Sequence, residues 1–361
     1  MKKIKLGDIL EIQPKSKVKA GEGITNGKYP FYTCSNELTK SVNTADYEGD
    51  ALIMGTGGMA SIHYEKGKFS TSTDCLVYKS NKNVNLSLIN KYLRTNIYLL
   101  ENGFKGAGLR HISRDYISNI TIPLPERNLQ DKIVKELDLI EKTITNHNDV
   151  LKKYDTLIKS RFIEMFGDPV INEKDWDLKT LPELGEFGRG VSKHRPRNAP
   201  ELLGGKYPLI QTGDVANANL YITDYESTYS EEGFKQSKMW KAGTLCITIA
   251  ATIAKTAILT FDSCFPDSVV GFTPNEKTNS LFINYWFSFF QKILEEQAPA
   301  VAQKNINLQV LSELKIITPP ISLQNDFAAF VHQIDKSKFA VQKSLEKAET
   351  LYKSLMQEYF A

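Results

Sequence analysis

A chain of 361 residues, 24% charged and 41% hydrophobic, is long enough for two or three domains that each bury a core. It contains no apolar run near the ~18 residues of a membrane span. The basic start "MKKIKLGDILEIQPK" lacks the apolar stretch and cleavage site of a secretory signal, so a cytoplasmic location without a membrane partner is expected. The net charge of +3 says little by itself, but Lys and Arg outnumber Asp and Glu by 17 to 11 over residues 1–125, which makes that segment the basic part of the chain.

The first segment opens with a cationic loop, "QPKSKVKAGEGITNGK", where Lys15, Lys17, Lys19 and Lys28 suit phosphate contacts. The stretch "DALIMGTGGMASIHYEKGKFSTSTDCLVYKS" then alternates apolar, Gly-rich and polar pieces, as short strands and tight turns do. A helix is expected around "LSLINKYLRTNIYLLENG", and a polar loop, "FKGAGLRHISRDYISNITIP", closes the segment.

Residues 126–166 are charge-balanced and free of Pro and Gly, and they start just after "PLP", where a helix can begin. Ile133, Leu137, Ile140, Ile144, His147, Leu151, Tyr154 and Ile158 follow the alternating four- and three-residue spacing of a seam between helices. The Gly-Asp-Pro that follows is a helix stop.

Residues 167–318 are mildly acidic, yet "FGRGVSKHRPRNAPELLGGK" gathers Arg189, Lys193, His194, Arg195, Arg197 and Lys206 around one acid, Glu201. "GTLCITIAATIAKTAILTFDSC" has the strand-and-turn texture of the first segment, and "SLFINYWFSFFQKILEEQ" reads as a helix. The last segment, 319–361, is a second helix whose seam runs through Val331, Ile334, Val341, Leu345, Tyr352 and Leu355, with Lys338 also on it. His147 and Lys338 are expected to set register or to lie near a wet end of the seam.

The segments repeat. Leu129-Gln130 meets Leu323-Gln324 at an offset of 194, while "GKYPFYTCS" meets "GKYPLIQTG" at 178, so the second copy carries about 16 extra residues, expected around "ESTYSEEGFKQSKMWK". A period this long means two copies of a whole module rather than a solenoid. The resulting fold class is α+β: two globular α/β domains, 1–125 and 167–318, separated by two long antiparallel coiled-coil helices, 126–166 and 319–361, in an internal pseudo-twofold repeat. Helices of 35 to 40 residues would be roughly 55 Å long, comparable to about 16 base pairs of duplex.

The motifs of chemistry are missing. "GTGG" lacks the Lys-Ser/Thr of a P-loop, the five histidines have no metal-ligand spacing, and neither a nucleophile elbow nor a methyltransferase Asn/Asp-Pro-Pro-Tyr/Phe motif occurs. No catalytic residue and no metal ligand is assigned. Base reading is instead expected of the paired loops before the long helices, with Arg110, His111 and Arg114 in the first copy and Lys304, Asn305 and Asn307 in the second. Different side chains at matched positions suit two readers of two sequences.

The duplicated "IPLPERNLQDKIVKELDLIEKTI" and "ITPPISLQNDFAAFVHQIDKSK", with "SRFIEMFGDP" and the starts "KIKLGDILEI" and "DLKTLPELGEF", resemble the specificity subunits of type I restriction-modification enzymes over the whole chain. The resemblance implies target recognition domains that each bind half of a split site on double-stranded DNA, and spacer helices that dock two methyltransferase (modification) subunits. It also admits a restriction or motor subunit, and it leaves S-adenosylmethionine, ATP and Mg²⁺ to the partner subunits, with no cofactor in this chain. The rival reading from the residues is a tandem protein-interaction scaffold with coiled-coil arms.

Overall fold

The computed structural model describes residues 2–194, 196–250, 253–297 and 306–360. The chain divides into two compact units, Met1–Asp149 with Gln342–Ala361, and Val150–Val341. Both boundaries fall inside long helices, Arg127–Phe166 and Ile321–Phe360, of 40 residues each. Among the described residues no helix is long and apolar enough to cross a membrane.

In the first unit an antiparallel sheet runs in the order Leu10–Ile12, Cys75–Ser80, Ala51–Gly55, Ile62–Glu65. Ala51–Gly55 is buried at every position, which is why its sequence is a continuous apolar run rather than an alternating one. A smaller sheet, ordered Lys40–Val42, Tyr29–Tyr32, Lys68–Thr71, Tyr47–Glu48, includes one parallel pairing, Tyr29–Tyr32 with Lys68–Thr71. Helix Leu86–Thr95 is capped by Asn85, whose side chain accepts from the N–H groups of Ser87 and Leu88. Its Leu86, Ile89 and Leu93 join Leu52, Met54 and Leu76 of the sheet in one buried cluster.

The second unit follows the same pairing scheme. Its larger sheet is ordered Gly185–Arg189, Val269–Pro274, Leu245–Thr248, Thr256–Leu259, Tyr221–Ile222, and its smaller one Ser227–Tyr229, Leu203–Leu209, Ser263–Cys264, Met239–Trp240. The extra residues lie in two places rather than one. Helix Thr212–Asn217 and strand Tyr221–Ile222 come before the "ESTY" segment, and helix Glu231–Lys235 lies within it. The added strand pairs parallel to Thr256–Leu259, so it covers an edge that Ile62–Glu65 leaves open in the first unit.

In both units a strand at the start of the α/β body pairs with one just before the long helix, Lys2–Lys5 with Thr121–Leu124 and Leu178–Lys179 with Ile316–Ile317. The long helices then pack in reverse directions within each unit. In the first, Ile133, Val134 and Leu137 lie with Met356, Tyr352 and Leu355, while Glu136 accepts from the Tyr359 hydroxyl and Glu141 from that of Tyr352 at 2.8 Å. In the second, Ile158, Phe162 and Phe166 share a core with Phe327 and Val331, and Lys338 pairs with Asp155 at 2.7 Å.

Of the expected seam positions, Ile133, Leu137, Ile158, Val331 and Leu345 are buried, and Ile140, Ile144, Leu151, Ile334, Val341, Tyr352 and Leu355 are half-buried. His147 is half-buried, with Nδ1 2.6 Å from the Thr143 carbonyl. Gly167, at φ +76°, ends the first long helix, and Lys174 and the Trp176 indole donate to the carbonyls of its last turn.

The repeated Leu-Gln has a physical reason. The amide oxygen of buried Gln130 accepts from the N–H of Asn85 at 2.8 Å, and its amide nitrogen donates to the Pro125 carbonyl at 2.8 Å. Gln324, fully buried, accepts from the Thr278 hydroxyl at 2.8 Å and donates to the carbonyls of Lys277 at 3.1 Å and Pro319 at 2.8 Å. A buried donor or acceptor stripped of its partner costs about 1–3 kcal/mol. Gln324→Leu, which orphans three groups, is therefore expected to lower urea-unfolding stability by at least that range, while exposed Gln309→Leu stays within about 0.5 kcal/mol. Equal losses in the two variants would contradict this role.

Candidate nucleic-acid interface

Three separate stretches of the first unit meet around Thr56 and Asp74. The lysine segment is tied down at alternate residues: the Ser16 hydroxyl donates to Asp46 at 2.6 Å, and the Val18 carbonyl accepts from the Thr73 N–H at 3.0 Å. Lys15, Lys17 and Lys19 are left exposed between these anchors. Next to Thr73, the Asp74 carbonyl accepts from both the backbone N–H of Thr56, at 2.8 Å, and its hydroxyl, at 2.7 Å. The Gly-rich turn that begins at Thr56 is thus fixed beside the lysine segment.

The third stretch is the loop 105–111. Lys105 and His111 exchange two backbone hydrogen bonds, of 2.9 and 3.0 Å, and close a narrow hairpin whose turn needs Gly106 at φ +137°. That hairpin is bonded to the Gly-rich turn by Gly58 N–H to the Arg110 carbonyl at 3.0 Å and Ile112 N–H to the Thr56 carbonyl at 3.1 Å. The His111 ring lies over Gly57, where an added Cβ would come within 3.3 Å of it. Arg110, His111 and Arg114 are all exposed. Ser113 caps the helix Arg114–Asn119 by accepting from the Tyr116 N–H at 3.1 Å, and Gly103 makes room for the Tyr116 ring beneath the hairpin.

The result is a hydrogen-bonded backbone frame that leaves exposed cationic side chains and an imidazole. Exposed lysines and arginines can contact phosphates, and a planar guanidinium such as that of Arg110 can match the paired acceptors of a guanine edge.

In the second unit Arg189 is exposed at the end of its strand. The exposed Lys193 and His194 are held by their backbone N–H groups, which both donate to Gln236 Oε1, at 2.5 and 2.9 Å. Arg197 pairs with Asp267, so part of its charge is already answered inside the protein. It edges a cleft of about 280 Å³ with Gln211, Thr212, Tyr229 and Ser268. Lys206 is bonded to Glu231 at 2.9 Å, which raises the lysine pKa and lowers that of the acid; on an open surface such a pair contributes little stability. Asn307 caps the helix Leu308–Glu313, accepting from the Val310 N–H at 2.8 Å, the task Ser113 performs in the first unit. Its amide oxygen is therefore committed to the fold. Arg195, Lys304 and Asn305 lie outside the described residues.

Sequence reasoning missed three features. The Gly-rich turn is the floor under His111, and nothing in its composition signals that contact. Met59 and Leu109 project from these turns, 71% and 75% exposed. Cys34, half-buried beside buried Cys75, donates its thiol to the Asp74 carbonyl at 3.2 Å, and hydrogen bonding with Cys75 holds its pKa below the ordinary thiol value.

The family model for the type I restriction modification DNA specificity domain matches residues 1–153 and 173–349. The type I restriction enzyme EcoDI specificity subunit of Escherichia coli is 22% identical, over 100% of this chain and 87% of that protein. A putative type I specificity subunit of Mycoplasma pneumoniae is 24% identical, over 98% and 95%. The fold resembles that of the S subunit of a type I restriction-modification system from M. genitalium, with a TM-score of 0.69 at 14% identity, over 100% of this chain and 96% of that one. The chain belongs to the type I restriction-modification DNA specificity family.

Proposed function

We propose that this chain is the non-catalytic DNA-recognition subunit of a type I restriction-modification complex and that it reads a bipartite duplex site, one half-site per recognition domain, residues 1–125 and 167–318. The observation that carries this reading is that backbone hydrogen bonds link the segments bearing the exposed Lys15, Lys17, Lys19, Arg110 and His111 through the turn at Thr56, with exposed Arg114 close behind in the chain. The second domain reads its half with Arg189, Lys193, His194 and Arg195 and with Lys304 and Asn305. Matching strand orders and mismatched loop residues support two modules of one origin with different targets.

In this reading the helices of 126–166 and 319–361 are a coiled-coil spacer, related by the pseudo-twofold of a duplicated module, and they dock two methyltransferase subunits. Leu157 and Leu351, 194 positions apart, are matched by the repeat, and they are 45% and 50% exposed. Equivalent apolar points in both copies fit two copies of one partner. The partners supply S-adenosylmethionine, ATP and Mg²⁺ chemistry, the assembly leaves room for a restriction or motor subunit, and the complex works in the cytoplasm.

Two measurements test this. Neutralising a phosphate releases counterions, and each contact contributes about −0.9 to the slope of log K against log salt. Lys15→Ala, Lys17→Ala and Lys19→Ala are each expected to flatten that slope by about 1 in duplex-binding titrations. Duplex binding without salt dependence would favour a protein-interaction scaffold. In the second test, Leu157→Asp and Leu351→Asp are each expected to remove one methyltransferase subunit from the reconstituted complex, read as mass. An unchanged mass in both variants contradicts docking at these leucines.

A further inference from the structure

The hairpin of 105–111 reads Lys-Gly-Ala-Gly-Leu-Arg-His, so between its paired ends only Leu109 and Arg110 have side chains larger than a methyl group. Leu109 is 75% exposed, and Met59, on the adjoining turn, is 71% exposed. A single exposed apolar residue is ordinary. These two stand one residue to either side of the same bond, Gly58 N–H to Arg110 carbonyl at 3.0 Å, on turns built by Gly58 at φ +82° and Gly106 at φ +137°. Around them are Lys105, Arg110, His111 and Arg114, with no acid between 105 and 114.

From this juxtaposition, and resting on the DNA-recognition reading above, we infer that the hairpin enters the major groove and that Leu109 and Met59 read thymine through its C5-methyl group. The shape fits: a major groove of about 12 Å admits a two-stranded β-ribbon, and the hairpin closed by the single antiparallel bridge Lys105–His111 is a shorter element of the same kind. The chemistry fits as well, because the thymine methyl is the apolar feature of the groove edge, whereas Arg110 suits the acceptors of guanine. The cations on both sides pair with the phosphates that flank any such contact, which an uncharged protein surface would not offer. A polar residue at either tip would meet the methyl group without gaining from its removal from water.

The test uses the full chain assembled with its methyltransferase subunits and a duplex carrying the motif that the complex methylates, with single thymines replaced by deoxyuridine. Loss of one methyl contact is expected to weaken wild-type binding about four-fold, the equivalent of roughly 0.8 kcal/mol, at one or two thymines of the half-site read by residues 1–125. Leu109→Ala or Met59→Ala is expected to weaken binding to the thymine duplex and to abolish the distinction between thymine and deoxyuridine there, with the melting temperature unchanged because both side chains are exposed. Variants that still distinguish the two bases, or a wild type indifferent to every thymine of that half, would overturn the inference while leaving DNA recognition standing. Wild-type binding no tighter to the motif than to a scrambled duplex would overturn both.

Discussion

A buried glutamine fixes the first turn of each long helix to its own α/β body, and much of each unit is arranged around that joint. Gln130 and Gln324 use both ends of their amides, so each joint is directional and without an unpaired group. A second bond sits beside it: the Asn85 amide donates to Asp131 at 2.7 Å, and the Asn279 amide to Asn325 at 3.1 Å. A helix of about 60 Å amplifies any error in the angle at its root, so small, fully satisfied polar contacts are decisive there although each contributes about 1 kcal/mol.

Beyond the joint the two units use different chemistry for the same task. Lys91, its side chain 5% exposed, pairs with Asp138 at 2.8 Å and with Glu141, which also accepts from the Tyr352 hydroxyl, so one buried cation ties three helices together. Its counterpart, Tyr285, packs edge-on against Phe327 at 5.4 Å, and the counterpart of Glu141 is Asp335, whose carboxyl burial holds above the ordinary range. An ion network loses its balance if one member is removed, whereas an aromatic cluster loses area in proportion to what is cut.

The sequence showed the long helices and their seams clearly, because a seam recurring every three or four residues survives any change in surface charge. The Leu-Gln words were legible because a buried glutamine makes the joint in both units, although its partners differ. Loops were legible only as composition. Nothing in "GTGG" told that His111 would lie over Gly57, since that contact joins residues 54 positions apart through backbone bonds. Arg197 looked as available as Lys193 until Asp267 was found against it. The extra residues, expected in "ESTYSEEGFKQSKMWK" and its surroundings, lie partly within it and partly just before it, where "QTGDVANANLYIT" forms a helix and an edge strand.

Two readers on a common frame, with different residues at matched loop positions, amount to a claim about the DNA target: it should have two unlike halves and an unread gap. Mapping methylated adenines across the host genome, with and without this gene, tests that claim most directly. The account predicts that one motif with two specified halves and an unspecified spacer loses its methylation when the gene is removed. An unchanged methylation map, or the loss of a single contiguous motif, would contradict it.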